Sequence, residues 1–219
     1  MLELIGASSS INPTIALEKQ ITGNVFGKAY GIETFIQFSK SIVDFTAKYN
    51  YGRSMRQASV INNDTWYPFK YERPHDVNLN LSIRLGKKWT AIASWIYTNG
   101  NNINIPNSEY ASIYTTYFTD WYINQPITAF NQNQVLQYNN KNNYRLPANH
   151  HLDIGFTCKK SRPRIKQEFN ISIFNIYNRL NVFTLYKEYK PNNGEAKKSN
   201  FKKVTLMPIM PFFSYAIKI

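Results

Sequence analysis

The most constraining feature of this 219-residue chain is a period-two alternation of apolar and polar side chains. In residues 76–85 every second residue is Val, Leu or Ile, and the residues between them are Asp, Asn, Ser or Arg. Successive side chains of a strand point to opposite faces, so the pattern predicts a strand with one apolar and one polar side. Six further segments alternate in a similar way: 30–38, 43–51, 89–97, 152–158, 169–173 and 213–219. No segment indicates a helix.

The connections between these segments alternate in length. Short ones fall at residues 40–41, 86–88 and 160–166, and long ones at 7–28, 54–70, 99–143 and 190–200. A membrane barrel has tight turns at one rim and long loops at the other, and about ten tilted residues cross its apolar band of about 25 Å. The predicted fold is therefore all-β: an antiparallel transmembrane β-barrel segment, about eight strands of a larger barrel.

The charge pattern supports the same interpretation. The formal net charge of +13 would suit a nucleic-acid partner. Few basic residues fall on the apolar faces, however, and most lie at the short turns or beside the last long loop. We therefore expect outer-membrane lipid, and no nucleic acid, as the partner of this chain.

Two groups of residues are candidates for functional roles. The polar faces are expected to line a wet lumen, and their candidate residues are Glu33, Asp44, Lys48, Asp76, Asn78, Asn80, Arg84, His151 and Asp153. The longest loop carries aromatic residues that could stack on a sugar or cyclic ligand: Tyr110, Tyr114, Tyr117, Trp121 and Tyr122. A packed loop of biased composition explains these aromatics equally well.

Catalytic and metal-binding patterns are weak. His151 and Asp153 share a face but have no third ligand in sight. Cys158 lies on an apolar face, where a small packing residue is expected. The sequence contains no glycine-rich phosphate loop, nucleophile elbow or CxxC pair. We therefore expect no enzyme activity, no cofactor and no metal site.

Five segments carry a resemblance to a known family. They are Gly27-Lys28-Ala29-Tyr30-Gly31-Ile32-Glu33, Tyr71-Glu72-Arg73-Pro74-His75-Asp76-Val77, Asn143-Tyr144-Arg145-Leu146-Pro147 with Leu152-Asp153-Ile154, Asn175-Ile176-Tyr177-Asn178-Arg179-Leu180-Asn181, and Leu206-Met207-Pro208-Ile209-Met210-Pro211 with Ser214-Tyr215. Each is similar to a C-terminal barrel segment of the TonB-dependent receptors common in Bacteroidetes, in the same order. Residues 1–219 as a whole resemble the C-terminal part of such a barrel. The final residue departs from the family, with Ile219 where Phe is usual.

The resemblance implies a role in transport across the outer membrane. Such receptors import siderophores, cobalamin or glycans with energy that TonB passes to an N-terminal plug. Residues 1–6 would be the remnant of a strand, and the plug, the TonB-contacting box and the signal peptide would be missing. TonB would then act only through that plug, and the chain alone would not support uptake. The alternatives are a self-contained small outer-membrane barrel for adhesion or structure, and a secreted carbohydrate-binding β-sandwich.

Overall fold

The fold is all-β, as the alternation predicts. The computed structural model describes residues 1–5, 16–111, 134–163, 165–189 and 199–218. Two single turns of 3-10 helix, Leu17–Lys19 and Asn62–Asp64, are the only helical segments among these residues. The described strands, numbered in chain order, are β1 (Glu3–Leu4), β2 (Ile21–Thr22), β3 (Val25–Lys40), β4 (Val43–Ala58), β5 (Tyr67–Pro68), β6 (His75–Leu85), β7 (Trp89–Thr98), β8 (Asn102–Ile103), β9 (Ser108–Ala111), β10 (Gln134–Gln137), β11 (Tyr144–Arg145), β12 (Asn149–Ser161), β13 (Lys166–Phe174), β14 (Asn181–Tyr189), β15 (Ser199–Leu206) and β16 (Met210–Lys218).

One large sheet organises the chain. Its strand order is β16-β13-β12-β7-β6-β4-β3, with the short β5 paired to β4. Pairing is antiparallel from β4 through to β16. The long strands therefore follow one another as a meander, in the order in which the chain makes them. The strands β3 and β16 lie at the two ends of this order, and the described residues form no closed barrel.

The connections of the meander alternate in length as expected. Residues 41–42, 86–88 and 162–165 make the short ones, which lie at one end of the strands. Two of them use left-handed backbone, with φ of 51° at Ser41 and 85° at Gly86, the conformation that tight hairpin turns require. The long connections, 59–74, 99–148 and 175–209, lie at the other end.

Several boundaries differ from the sequence-based expectation. The strands β3 and β4 have 16 residues each, so the connections expected at 7–28 and 54–70 are shorter than predicted. The segment expected to be a barrel-strand remnant forms the two-residue β1, which pairs with β2 and not with the large sheet. The last long connection contains an additional hairpin of β14 and β15.

The chain divides into two compact units. The first contains Met1–Phe26, Arg56–Tyr67 and Ile103–Tyr144. Its buried cluster consists of Val25, Ala58, Ile61 and Tyr67. The second contains Gly27–Met55, Pro68–Asn102 and Arg145–Ile219, and so holds the greater part of the large sheet.

Candidate functional site

The strand register collects the apolar side chains on one face of the large sheet. Ala93 on β7 lies opposite Leu81 on β6 and opposite Ile154 on β12. The same row continues outward to Phe45 on β4 and Ile173 on β13. Neighbouring rows are built in the same way, for example Ala47, Leu79, Trp95 and Leu152. The alternation predicted strand by strand is therefore continuous across the strands.

Among the described residues, no second layer covers this apolar face. The buried hydrophobic residues among those described are Val25, Ala58, Ile61, Tyr67, Leu146 and Val182, and none belongs to these rows. Large side chains on the face stay exposed, among them Trp89 at 45% and Phe213 at 66%. Every other sheet of the described residues has only two strands. Large exposed apolar patches often mark sites of contact with a partner or with lipid, so this face is a candidate interaction surface.

The opposite face carries the residues expected to line a lumen. Register places Asn78 beside Lys48, and it aligns Asn80 with Ser94 and Ser94 with Asp153. The same face also carries Asp44, Asp76, Arg84 and His151. On β3, Phe35 lies 5.6 Å from the Lys48 ammonium, so Glu33, two residues earlier, also belongs to this face. The structure thus brings all nine polar candidates to one side of the sheet.

Hydrogen bonds and ion pairs connect these polar residues across strands. Ser94 Oγ donates to Asn80 Oδ1 at 2.8 Å, and Asn80 Nδ2 donates to Asn78 Oδ1 at 2.7 Å. At the short-turn end, Arg84 lies 3.8 Å from the Asp44 carboxylate. The residues in these contacts are half-buried or exposed, and the Asn149 side-chain oxygen on the same face has no hydrogen-bond partner among the described residues.

The His151 and Asp153 pair does not resemble a metal centre. Their closest N and O atoms are 3.5 Å apart. The other Asp153 oxygen accepts the Asn175 backbone N–H at 2.9 Å, and the His151 ring packs against Phe174 with centroids 4.6 Å apart. No group of three or more potential ligands occurs among the described residues. Both side chains therefore have structural contacts that occupy them.

Aromatic rings form a band on the apolar face, next to the long connections. The Trp95 and Tyr97 rings stack at 6.1 Å, and the His150 ring lies 6.4 Å from each of them. On the neighbouring strands the Tyr49 hydroxyl hydrogen-bonds His75 Nδ1 at 2.8 Å. We call Tyr49, Tyr51, His75, Trp95, Tyr97, His150 and Tyr177 the aromatic band. Rings with one apolar and one polar end are the type that collects at a membrane–water boundary.

Two of the segments that carry the family resemblance meet at Glu72. This side chain is only 1% exposed, and it lies 2.8 Å from Arg53 Nε and 2.5 Å from Arg145 Nη2. The Ser54 backbone N–H also donates to it, at 3.2 Å. A buried carboxylate is stable only with such partners. We call Arg53, Glu72 and Arg145 the carboxylate clamp, which the sequence analysis did not foresee.

Two further segments are joined by Asn175. Its side chain is fully buried, and its amide group donates to the carbonyls of Arg179 at 2.9 Å and Met207 at 3.1 Å. Its Oδ1 accepts the Arg179 N–H at 3.0 Å. This one residue therefore closes the turn after β13 and ties it to the chain entering β16.

Gly31 shows why the first segment contains a glycine. A Cβ at this position would lie 2.3 Å from the Tyr51 carbonyl oxygen and 3.1 Å from the Gly52 Cα. The close approach at this glycine is to the neighbouring strand β4. Any side chain here would push β3 away from β4.

The ligand-binding candidates of the longest loop are only partly described. Tyr110 lies on β9, opposite Val135 on β10, and its side chain is 56% exposed. Tyr114, Tyr117, Trp121 and Tyr122 lie outside the described residues. The aromatic-ligand hypothesis for this loop stays a prediction.

The first compact unit contains a charged cluster of its own. Glu3 pairs with Arg56 and, at 3.0 Å, with the Lys141 ammonium. The neighbouring Tyr67 hydroxyl is buried and has no hydrogen-bond partner among the described residues. Burial, and secondarily the Glu3 charge, raises the pKa of Tyr67 to about 12, although Arg56 opposes the shift. This tyrosine therefore stays neutral at all ordinary pH values.

Comparison with known proteins adds no relative. No protein-family model matches the chain, and no curated protein or solved structure matches it either. A search of the described residues for a helix long and apolar enough to cross a membrane found none.

Proposed function

We propose that this chain is the C-terminal part of the β-barrel of an outer-membrane receptor of the TonB-dependent type, and that it serves nutrient uptake. One observation carries the proposal. An apolar face runs in register from β4 to β16, and nothing among the described residues covers it. Lipid is the environment in which a strand can keep such a face outermost.

Strand dimensions support this proposal. The strand β7 has 10 residues and β6 has 11. At about 3.3 Å per residue and a tilt of about 45°, such strands rise about 25 Å, which is the height of an outer-membrane apolar band. The aromatic band lies at one end of this span, where a boundary girdle is expected. The strands β3 and β4 are longer and extend past the aromatic band.

The polar face supports a lumen on the opposite side. Lys48, Asp76, Asn78 and Asp153 lie on the side away from the apolar rows. A wet lumen or the surface of a plug would keep these groups solvated or paired. A soluble sandwich would instead bury one face of the sheet against a second sheet, and the described residues provide no second sheet of comparable size.

Mutual contacts among the resemblance segments support the family assignment. The second and third segments meet in the carboxylate clamp, and the third, fourth and fifth meet at Asn175. These segments therefore hold the ends of strands together at the loop side of the sheet. This gives a physical reason for residues of these types to occur in that order.

The test is to measure which surface the chain presents to lipid. The full chain is refolded into phosphatidylcholine vesicles, and tryptophan fluorescence is quenched by lipids brominated at different depths of the acyl chain. Trp89 and Trp95 lie on the apolar face, near opposite ends of β7, so the proposal expects strong, depth-dependent quenching.

The double variant Trp89→Phe with Trp95→Phe is the matched control, and it should lose most of that quenching. It retains Trp66, which lies in the connection before β5, and Trp121, which lies outside the described residues. A chain that stays in the aqueous phase, with emission insensitive to brominated lipid, would refute the proposal.

A further inference from the structure

We infer that the groove beside the carboxylate clamp binds the phosphorylated headgroup of an outer-leaflet glycolipid. The groove has a volume of ≈ 470 Å³ and is lined chiefly by Tyr30, Arg53, Ser54, Tyr71, Glu72 and Arg73. We call it the cationic groove. The inference rests on the proposed function, since it assumes that the apolar face meets lipid.

The position of the groove suggests a lipid headgroup. Arg53 follows Tyr49 and Tyr51 at every second position of β4, so it lies on the same face, one step beyond the aromatic band. Tyr30 belongs to the apolar set of β3 and is 58% exposed. The groove thus opens on the lipid side of the sheet, at the level where headgroups replace acyl chains.

The charge of the groove suggests phosphate. Glu72 is its only acidic lining residue, and Arg53 and Arg145 enclose that carboxylate. Arg73 is exposed, and one of its donors reaches Asn101 Oδ1 at 3.1 Å. The Lys70 ammonium is not part of the lining, but it lies 5.4 Å from the centre of the Tyr71 ring, which is. Cations therefore outnumber the single, already paired anion, and a guanidinium offers the bidentate geometry that phosphate oxygens accept.

The exposed tyrosines indicate a glycolipid more than a free anion. Tyr71 is 60% exposed and, with Tyr30, gives the groove two open aromatic side chains. Aromatic faces pack well against sugar rings. A soluble anionic nutrient would pass along the polar face, whereas this groove opens on the other side. Phosphate on a lipid-anchored sugar satisfies both the charge and the location.

The test is a titration of the full refolded chain in an uncharged detergent. Three probes are compared: a glucosamine-disaccharide lipid with two phosphates, the same lipid without phosphates, and inorganic phosphate. Saturable binding of the phosphorylated lipid is expected, with much weaker binding of the other two. Equal affinity for the two lipids would overturn the inference, and so would inorganic phosphate that binds as tightly as the phosphorylated lipid.

Variants locate the binding to the groove. Arg73→Ala and Lys70→Ala leave the carboxylate clamp intact, and each should weaken binding about fivefold, as is typical for one cation near an anionic membrane surface. Lys87→Ala, at a short turn on the opposite end of the strands, is the matched control and should have no effect. An equal loss in the Lys87 variant would also overturn the inference. Failure of the proposed function would appear separately, as a chain that does not insert into vesicles of any composition.

Discussion

Leu81 and Asn80 are neighbours on β6 with opposite surroundings. Leu81 lies in the apolar row between Phe45 and Ala93. Asn80 accepts a hydrogen bond from Ser94 on the polar face. The two residues are adjacent in sequence but lie on opposite faces of the sheet. Substitutions at these two positions therefore compare the surroundings of the two faces directly.

Placing a cation at these two positions should have unequal effects. Leu81→Arg puts the charge into the apolar row that the proposed function places against lipid, and it should cost about 2–4 kcal/mol of stability, whereas Asn80→Arg should cost little. The measurement is urea unfolding of the chain refolded in vesicles, followed by tryptophan fluorescence. Similar losses in the two variants would refute the assignment of the faces.

Tyr67 gives a prediction in the first compact unit. The pKa of Tyr67 rises from 10.0 to about 12 in the folded state. Between these pH values the folded protein therefore keeps the hydroxyl proton, whereas the unfolded chain loses it. The associated stability is complete below pH 10, and it declines as pH rises toward 12. Tyr67→Phe should abolish this decline. It should also remove the last transition from a spectrophotometric titration of the tyrosines.

At neutral pH the same substitution should not destabilise the protein. The hydroxyl is buried without a partner among the described residues, and removing an unsatisfied polar group is neutral or favourable. A loss of more than about 1 kcal/mol in thermal or urea unfolding would mean that the hydroxyl has a hydrogen-bond partner.

At the scale of elements, the turn after β13 depends on Asn175. Its φ is 53°, and its side chain makes three hydrogen bonds in a fully buried site. Asn175→Ala should cost about 3 kcal/mol, because several buried backbone groups lose their partner. Amide exchange of β14 and β15 should accelerate together, since the turn connects their hairpin to the sheet.

Asn178→Ala is the matched control for this turn. Asn178 has a similar φ of 51° but is exposed, and its side chain accepts one hydrogen bond, from Ile209 N–H at 3.0 Å. Its loss should cost about 1 kcal/mol. Equal effects of the two substitutions would show that backbone strain, and not the buried hydrogen bonds, sets the stability of the turn.

Alternation predicted the long strands of the sheet because each has one apolar and one polar side. The alternation did not predict the C-terminal part of β4, because Gly52, Arg53, Ser54, Arg56 and Gln57 interrupt the apolar series there. It also missed β14 and β15, because a register shift between Val182 and Thr184 breaks the period of two. Both failures are local departures from regular alternation.

The carboxylate clamp could not be predicted for a different reason. Glu72 and Arg145 are separated by 73 residues in sequence. A single sequence contains no signal that pairs one acid with one of many arginines at such a distance. They come together only in the folded chain, where Arg145 Nη2 lies 2.5 Å from the Glu72 carboxylate. The motif residues were visible in the sequence, but their contact was not.

At the scale of the whole molecule, the alternating connections define two ends of the sheet. Turns of a few residues lie at one end, and connections of sixteen residues or more lie at the other. In an outer-membrane barrel the short turns face the periplasm and the long loops face outward. The proposed function therefore predicts the orientation of the chain in the outer membrane.

Cysteine labelling of intact cells tests this orientation, in a Cys158→Ser background that leaves one reactive thiol per variant. Val60→Cys places a thiol on an exposed residue of a long connection, and Lys87→Cys places one in a short turn. An impermeant maleimide should label the first variant on whole cells, and the second only after the outer membrane is disrupted. Thr116, in the longest connection, lies outside the described residues, so Val60 is the better reporter.

The meander order also has an evolutionary consequence. Because each long strand pairs with its neighbours in the chain, the smallest unit that a gene can gain or lose without disturbing other pairings is two strands and their short turn. One such duplication would add about 10 Å to the circumference of a wall while leaving every existing register in place. The width of a sheet built this way can change in discrete steps through duplication or deletion of gene segments, because the existing strand pairs keep their packing.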